Sequence, residues 1–425
     1  MPHKPQIQTK PSCPPQHLKE KVSVWVTSLG LGDTICSTPT IRKLKSLFPL
    51  NGIDVYTYYP ELFQHNPNVD SVFLFDEGLE LGGQYTELRK NGYARYIITF
   101  FSSIHQPAID YYSNTIVDVC SMIALGQKLP EYETWLEAPY SRLELDNLRE
   151  KTGGKAFDPA RTVIIHPSIT WPTRTWPKEN WQKLTDMLIA HGYQVVAVGS
   201  GTPVIERRKE IEKLDIQSCP KGAIDLIDKL TPLETVCLLD QCKCVITMDS
   251  GLLHLALSTD ANITSMFTIA HPDYRLAWRK DGFYHKLSVV PPLGKCHYCA
   301  NQRSDMKEYR QCPLAAIPPC MPDPESVFAS MSGLLNNKQP PTTKPKGGRM
   351  QQNAVIDPDT ICQQAIQAKL NVYQAKEQFE SVLKVYNDNV DGLINLIGLM
   401  KKRILELEKD VSLAKIEIVS KEKND

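Results

Sequence analysis

Short apolar runs alternate with longer amphipathic stretches from Lys21 onward. Residues 22–27 form an apolar, β-branched run that predicts a strand. It breaks at Leu29-Gly30-Leu31-Gly32-Asp33, and a helical pattern over 34–47 follows, stopping near Phe48-Pro49. Strands are predicted at 53–58, 72–75 and 96–101, with helical stretches near 85–90 and 109–125. A polar break over 150–160, with Gly153-Gly154, reads as an interdomain linker. A second set then begins, with strands at 162–166, 194–198, 244–248 and 263–267. The helix predicted over 178–191 stops at Gly192, and the one over 232–241 opens with Thr231-Pro232-Leu233-Glu234, a capping box with Pro at the first helical position. Strand and helix in alternation imply an α/β chain: two Rossmann-like, doubly wound domains, 21–155 and 156–335, facing a cleft.

Both ends have a different pattern. Residues 1–20 are polar and Pro-rich and read as a disordered lead. Residues 336–354 carry Lys, Gln, Pro, Thr and Gly and read as a flexible linker. Across 355–425 the apolar positions turn helical, with Val372, Phe379, Tyr386, Leu393, Met400, Leu407 and Ala414 seven apart. Ala375, Val382 and Leu396 supply a second seam, passing to Ile404, Val411 and Ile418 after a stutter. A coiled coil that makes a homo-oligomer is one reading; a long helix folded back on its own domains is the other.

Composition narrows the partners. The 425 residues hold 48 Lys plus Arg against 48 Asp plus Glu, so no overall basic field draws in nucleic acid. No run of about 18 apolar residues suggests a transmembrane segment, and the N-terminus lacks a signal-like apolar core. A cytoplasmic chain is the expectation, with its 12 Cys as thiols or metal ligands.

The chemistry concentrates at two places. At 245–256 an apolar run stops at Asp249-Ser250-Gly251, and helix-compatible residues follow. The first amides of a helix lack internal partners, and its dipole makes that end positive, which suits phosphate. The same residues also suit an ordinary βα turn capped by Asp249 or Ser250. Farther on, Cys296, Cys299, Cys312 and Cys320 fall within 25 residues, starting with a C-x2-C pair. That spacing suits structural zinc or iron; reduced thiols or disulfides are the alternatives.

In order, the motifs resemble glycosyltransferase family 9, the ADP-heptose:lipopolysaccharide heptosyltransferases. The resemblance is carried by Ser28-Leu29-Gly30-Leu31-Gly32-Asp33-Thr34, Thr38-Pro39, Asn66-Pro67-Asn68-Val69-Asp70 and Ile165-His166-Pro167-Ser168. Arg174-Thr175-Trp176-Pro177, Trp181 and Asp249-Ser250-Gly251-Leu252-Leu253-His254-Leu255-Ala256 complete it. It spans about residues 21–335. It implies a GT-B fold, with the acceptor on the first domain and the nucleotide sugar on the second, and inverting transfer with no catalytic metal. By that resemblance Asp33 is the general base, on an acceptor-side loop containing Gly30 and Gly32. Ser168, Arg174, Asp249, Ser250, Gly251 and His254 would hold the donor, with His254 orienting the turn. Asp33 also suits a helix N-cap, Arg174 a solvated surface, and the tryptophans a core. The expected partners are a nucleotide-diphosphate sugar, ADP-heptose foremost, and a glycan or protein acceptor. The resemblance extends to protein (autotransporter) heptosyltransferases, whose second domain carries an iron-binding Cys cluster.

Two other classes compete. The chain could be an inactive GT-B assembly protein oligomerised by its tail; the presence of Asp33, Arg174 and Asp249 argues against it. A dinucleotide-dependent oxidoreductase is disfavoured, because Gly30-Leu31-Gly32-Asp33 lacks the third Gly of the dinucleotide fingerprint.

Overall fold

The computed structural model describes residues 22–26, 28, 30–49, 51–75, 94–98, 114–154, 157–167, 172–200, 218–277, 279, 286–294, 298–299, 312, 314–315 and 318–336. The chain divides into two compact units, 1–347 and 348–425, and the described residues all belong to the first. The lead over 1–20, the predicted helix at 85–90 and the coiled-coil tail lie outside the described residues.

Two parallel sheets form the frame. Strands β1 (Val22–Val26), β2 (Ile53–Thr57), β3 (Ser71–Leu74) and β4 (Ala94–Ile98) lie in the order β3-β2-β1-β4, with Val24 opposite both Val55 and Tyr96. Strands β5 (Thr162–Ile165), β6 (Gln194–Ala197), β7 (Ile224–Asp225), β8 (Cys244–Met248), β9 (Ile263–Met266) and β10 (Leu287–Val290) lie in the order β10-β9-β8-β5-β6-β7. Counted within that sheet from the β7 edge, this is the 3-2-1-4-5-6 order of a doubly wound domain. Every residue of β1, β5, β8 and β9 is buried, which is why these strands read as mostly apolar, β-branched runs broken only by Ser and Thr.

The helices are α1 (Leu31–Ile35), α2 (Thr38–Leu47), α3 (Ile116–Leu125), α4 (Arg142–Lys151), α5 (Lys178–Ala190), α6 (Pro232–Leu239), α7 (Gly251–Leu257) and α8 (Pro324–Leu335). The single helix predicted over 34–47 is two, separated at Cys36-Ser37. Pro39 lies in the first turn of α2, where its missing N–H costs nothing; inside a continuous helix it would break the ladder. The helix predicted from 109 begins at Ile116, because Thr115 and Asp118 form a capping box there.

The polar stretch at 150–160 is not wholly linker, since α4 runs to Lys151. Its start was marked in the sequence by Ser141 and Glu144, another capping box. Gly153 and Gly154 then turn the chain with φ of 65° and 70°, a conformation that costs glycine little.

Helix α3 packs on α2 and β4, and α8 packs on α5 and β10. Two seams join the sheets' helices: α1 against α7, and α4 against α6. In the second seam Lys151 Nζ meets the buried Glu234 at 2.6 Å. Trp176 and Trp181 are fully buried edge to face, ring centroids 4.8 Å apart, so they belong to the core rather than to a ligand surface.

Candidate active site

In a doubly wound sheet the connections leave in opposite directions at one point, and ligands bind beyond the strand ends there. In the first sheet that point lies between β1 and β4, and Asp33 follows β1. In the second it lies between β5 and β8, where His166 follows β5 and Asp249 follows β8. The α1–α7 seam brings these two points together.

Asp33 is not the N-cap of α1. Gly30 holds that position, and Asp33 lies within the first turn, half-buried. Ser28 Oγ donates to Asp33 Oδ2 at 2.9 Å. A Cβ on Gly30 would lie 2.8 Å from that same oxygen, so this glycine is what lets the carboxylate fold back over the loop. Burial raises the Asp33 carboxyl above its ordinary range; the Ser28 hydrogen bond and the Arg275 and Arg174 charges oppose part of that rise, and Asp249 adds to it. A carboxyl held above its usual range suits a proton acceptor.

Asp249 is 2% exposed and lies between two guanidiniums. Arg174 Nη1 donates to Asp249 Oδ2 and to its backbone carbonyl, both at 3.1 Å. Arg275 Nε approaches Oδ2 at 3.4 Å. Burial alone would raise the Asp249 carboxyl, but Arg174, Arg275 and His254 hold it below the usual range. Its Oδ1 is buried without a hydrogen-bond partner among the described residues.

Ser250 and His254 act behind this cluster. Ser250 Oγ lies 3.1 Å from His166 Nδ1 and 3.1 Å from Thr247 Oγ1, so its hydroxyl is held inside the turn. His254, 3% exposed, reaches the other lobe, its Nδ1 3.4 Å from Cys36 Sγ. Burial pushes both imidazoles down to about 4, so both are neutral near pH 7. Gly251 permits a close approach, but to the other lobe: a Cβ there would lie 3.3 Å from Leu31 Cβ and 3.4 Å from Gly32 N.

The structure thus gathers Asp33, Arg174, Asp249, Ser250, Gly251, His254, Gly30 and Gly32. Ser168 lies outside the described residues. Arg275, His166 and Ser28 join the group although the sequence did not assign them roles. Arg275 follows Pro272-Asp273-Tyr274 with no motif around it; only the adjacency of β8 and β9 carries its loop to Asp249.

The four-cysteine reading fares differently. Cys296 lies outside the described residues; Cys299 and Cys312 are half-buried and Cys320 is buried. Among the described residues no three His, Cys, Asp or Glu side chains converge on a point that could take a metal ion. Cys299, Cys312 and Cys320 therefore do not fit one shared ion as arranged. Between Cys296 and Cys299, Tyr298 takes a φ of 50° and its ring meets His271 at 4.6 Å.

Comparison with known proteins bears on the fold and the family. The family model for glycosyltransferase family 9 (heptosyltransferase) matches residues 88–284, which include Arg174, Asp249, His254 and Arg275 but not Asp33. Lipooligosaccharide heptosyltransferase 2 of Haemophilus influenzae is 33% identical over 94 residues. That match covers 22% of this chain and only 26% of the relative. Among solved structures, a family 9 glycosyltransferase from Veillonella parvula superposes with a TM-score of 0.52 at 15% identity, covering 75% of this chain and 98% of that one. The E. coli ADP-heptose LPS heptosyltransferase II gives 0.51 at 18% identity, covering 75% and 99%. The iron-containing dodecameric glycosyltransferase TibC of enterotoxigenic E. coli gives 0.51 at 17% identity, covering 75% and 76%. The family 9 model matches residues 88–284, and the chain shares its fold with solved glycosyltransferases of that family.

Proposed function

We propose that this chain transfers a sugar, with inversion, from a nucleotide-diphosphate sugar to a hydroxyl of a glycan or protein. The observation that carries the reading is the Asp33 carboxylate lying within electrostatic reach of the Arg174–Asp249–Arg275 cluster across the seam between the lobes. Asp33 takes the proton of the acceptor hydroxyl. That oxygen attacks the anomeric carbon from the face opposite the diphosphate, and the sugar–phosphate C–O bond breaks. The electron pair leaves on the diphosphate, whose charge Arg174 and Arg275 offset. Asp249 Oδ1, buried and without a described partner, is the acceptor for a sugar hydroxyl. Ser168 and the Gly251 turn complete the donor side, while Ser250 and His254 hold that turn in place.

ADP-heptose is the proposed donor, supported by the names of the relatives and by the motifs around Arg174 and Asp249. Self-association through the tail is supported by its heptads and by the dodecameric neighbour. An iron or zinc at the cysteine segment is supported by the C-x2-C spacing and the iron-containing neighbour, and opposed by the arrangement of the three described thiols. No step of the transfer runs through it. Among the described residues no helix is long and apolar enough to cross a membrane. The test incubates the full chain with ADP-heptose, other ADP-sugars, UDP-sugars and a cell extract, and follows products by mass spectrometry. Nucleoside diphosphate release with a heptose-bearing product is expected; no release from any donor would refute the reading.

A further inference from the structure

Ser28 opens the Ser28–Thr34 motif, and its geometry gives it a place in this site beyond the loop it starts. It lies just past the end of β1, 1% exposed, under the loop that carries Asp33. The Gly30 backbone N–H donates to its Oγ at 3.1 Å. A serine hydroxyl has one hydrogen to give, and here it points to Asp33 Oδ2 at 2.9 Å. Among the described residues Ser28 is the one hydrogen-bond donor to that carboxylate. The loop beneath is itself fixed, because Thr34 Oγ1 donates to the Gly30 carbonyl at 3.0 Å.

We infer that Ser28 is the positioning residue for Asp33: its hydroxyl ties down Oδ2, sets the rotamer, and leaves Oδ1 to receive the acceptor's proton. The inference rests on the general-base reading above. The other titratable groups around the carboxylate are Arg174, Arg275 and Asp249 from the second lobe, and Tyr59, Cys36 and Cys120 from the first. None of them supplies Asp33 with a neutral hydrogen-bond donor among the described residues. Replacing Ser28 by Ala therefore removes a bond that favours the charged form, with no other hydrogen-bond donor to that carboxylate among the described residues to replace it.

The test uses the full chain. Difference infrared spectroscopy against Asp33→Asn isolates the Asp33 carboxyl band, which is titrated in the unaltered chain, in Ser28→Ala and in Ser28→Thr. Ser28→Ala is expected to move the midpoint up by about one pH unit, and to move the acid limb of kcat/KM with it. Its kcat near neutral pH should fall about tenfold. ADP affinity, measured by calorimetry, should be unchanged, because the donor cluster is not touched. Ser28→Thr keeps the hydroxyl and should restore the midpoint. A merely structural serine would lower the melting temperature and leave the midpoint where it was; that result would overturn the inference. Asp33→Asn separates the two readings: if that variant still transfers sugar, the general-base reading falls, while the infrared titration still reports whether Ser28 holds the carboxylate.

Discussion

His254 of the second lobe reaches into the first, its Nδ1 3.4 Å from Cys36 Sγ, through the gap that Gly32 leaves. A Cβ on Gly32 would lie 2.6 Å from His254 Cδ2, closer than real atoms approach. Gly32→Ala must therefore push the lobes apart or turn the imidazole out of its slot. Overpacking of this kind costs about 1–3 kcal/mol. We expect a lower melting temperature and a loss of turnover larger than the loss of ADP affinity, read by thermal unfolding, kinetics and calorimetry. Unchanged turnover would show that the α1–α7 seam is not needed for transfer.

The two buried imidazoles predict how stability follows pH. His166 and His254 titrate at about 4 in the folded chain against 6.5 when free. As pH falls, the unfolded chain takes up these protons first. Their contribution is fully present above about 6.5 and is lost as pH falls toward 4. By pH 5 each costs on the order of 2 kcal/mol. Urea unfolding at pH 7 and pH 5 measures the loss, and His166→Gln should remove about half of it. A pH-independent midpoint over this window would place the imidazoles in water.

Arg275 and Arg174 share one carboxylate, which predicts an asymmetry. Removing Arg275 leaves Asp249 paired with Arg174, so Arg275→Ala should fold and bind ADP about tenfold more weakly. Asp249→Asn removes the counter-charge of two guanidiniums in a closed space and should unfold more readily, by about 3 kcal/mol. Calorimetry and urea unfolding of the two variants compare the effects. Equal ADP affinity in Arg275→Ala would take that residue out of the donor site.

With Arg174 and Arg275 offsetting the leaving charge, the transfer does not call for a metal. Treating the full chain with a chelator, alongside elemental analysis, should leave kcat unchanged. A fall restored by added iron or zinc would put an ion in the chemistry.

How much of this was legible depends on what kind of contact carries it. Strands such as β1 and β8 were readable because burial on both faces makes them almost wholly apolar, with one Ser or Thr each. Asp33 and Asp249 were readable because each ends such a run at a turn. Arg275 was not, because its partnership with Asp249 depends on strand order, which periodicity does not encode. Helix α4 was passed over although Ser141 and Glu144 announced it, because its sequence is mostly polar and buries only Glu144 and Leu148. The edge strands β7 and β10 were missed too, β7 because two residues carry no period. The Ser250 hydroxyl shows the same limit: its contact with His166 depends on the β5–β8 adjacency, which periodicity does not encode.

The most direct measurement is transfer by Asp33→Asn in the full chain with ADP-heptose as donor. Since a general base contributes about 10²–10⁴ to rate, turnover should fall at least about 100-fold while ADP still binds with near-native affinity. A variant that turns over at the native rate would contradict the account, because the proton of the acceptor hydroxyl would then leave by a route that does not use the carboxylate facing the Arg174–Asp249–Arg275 cluster.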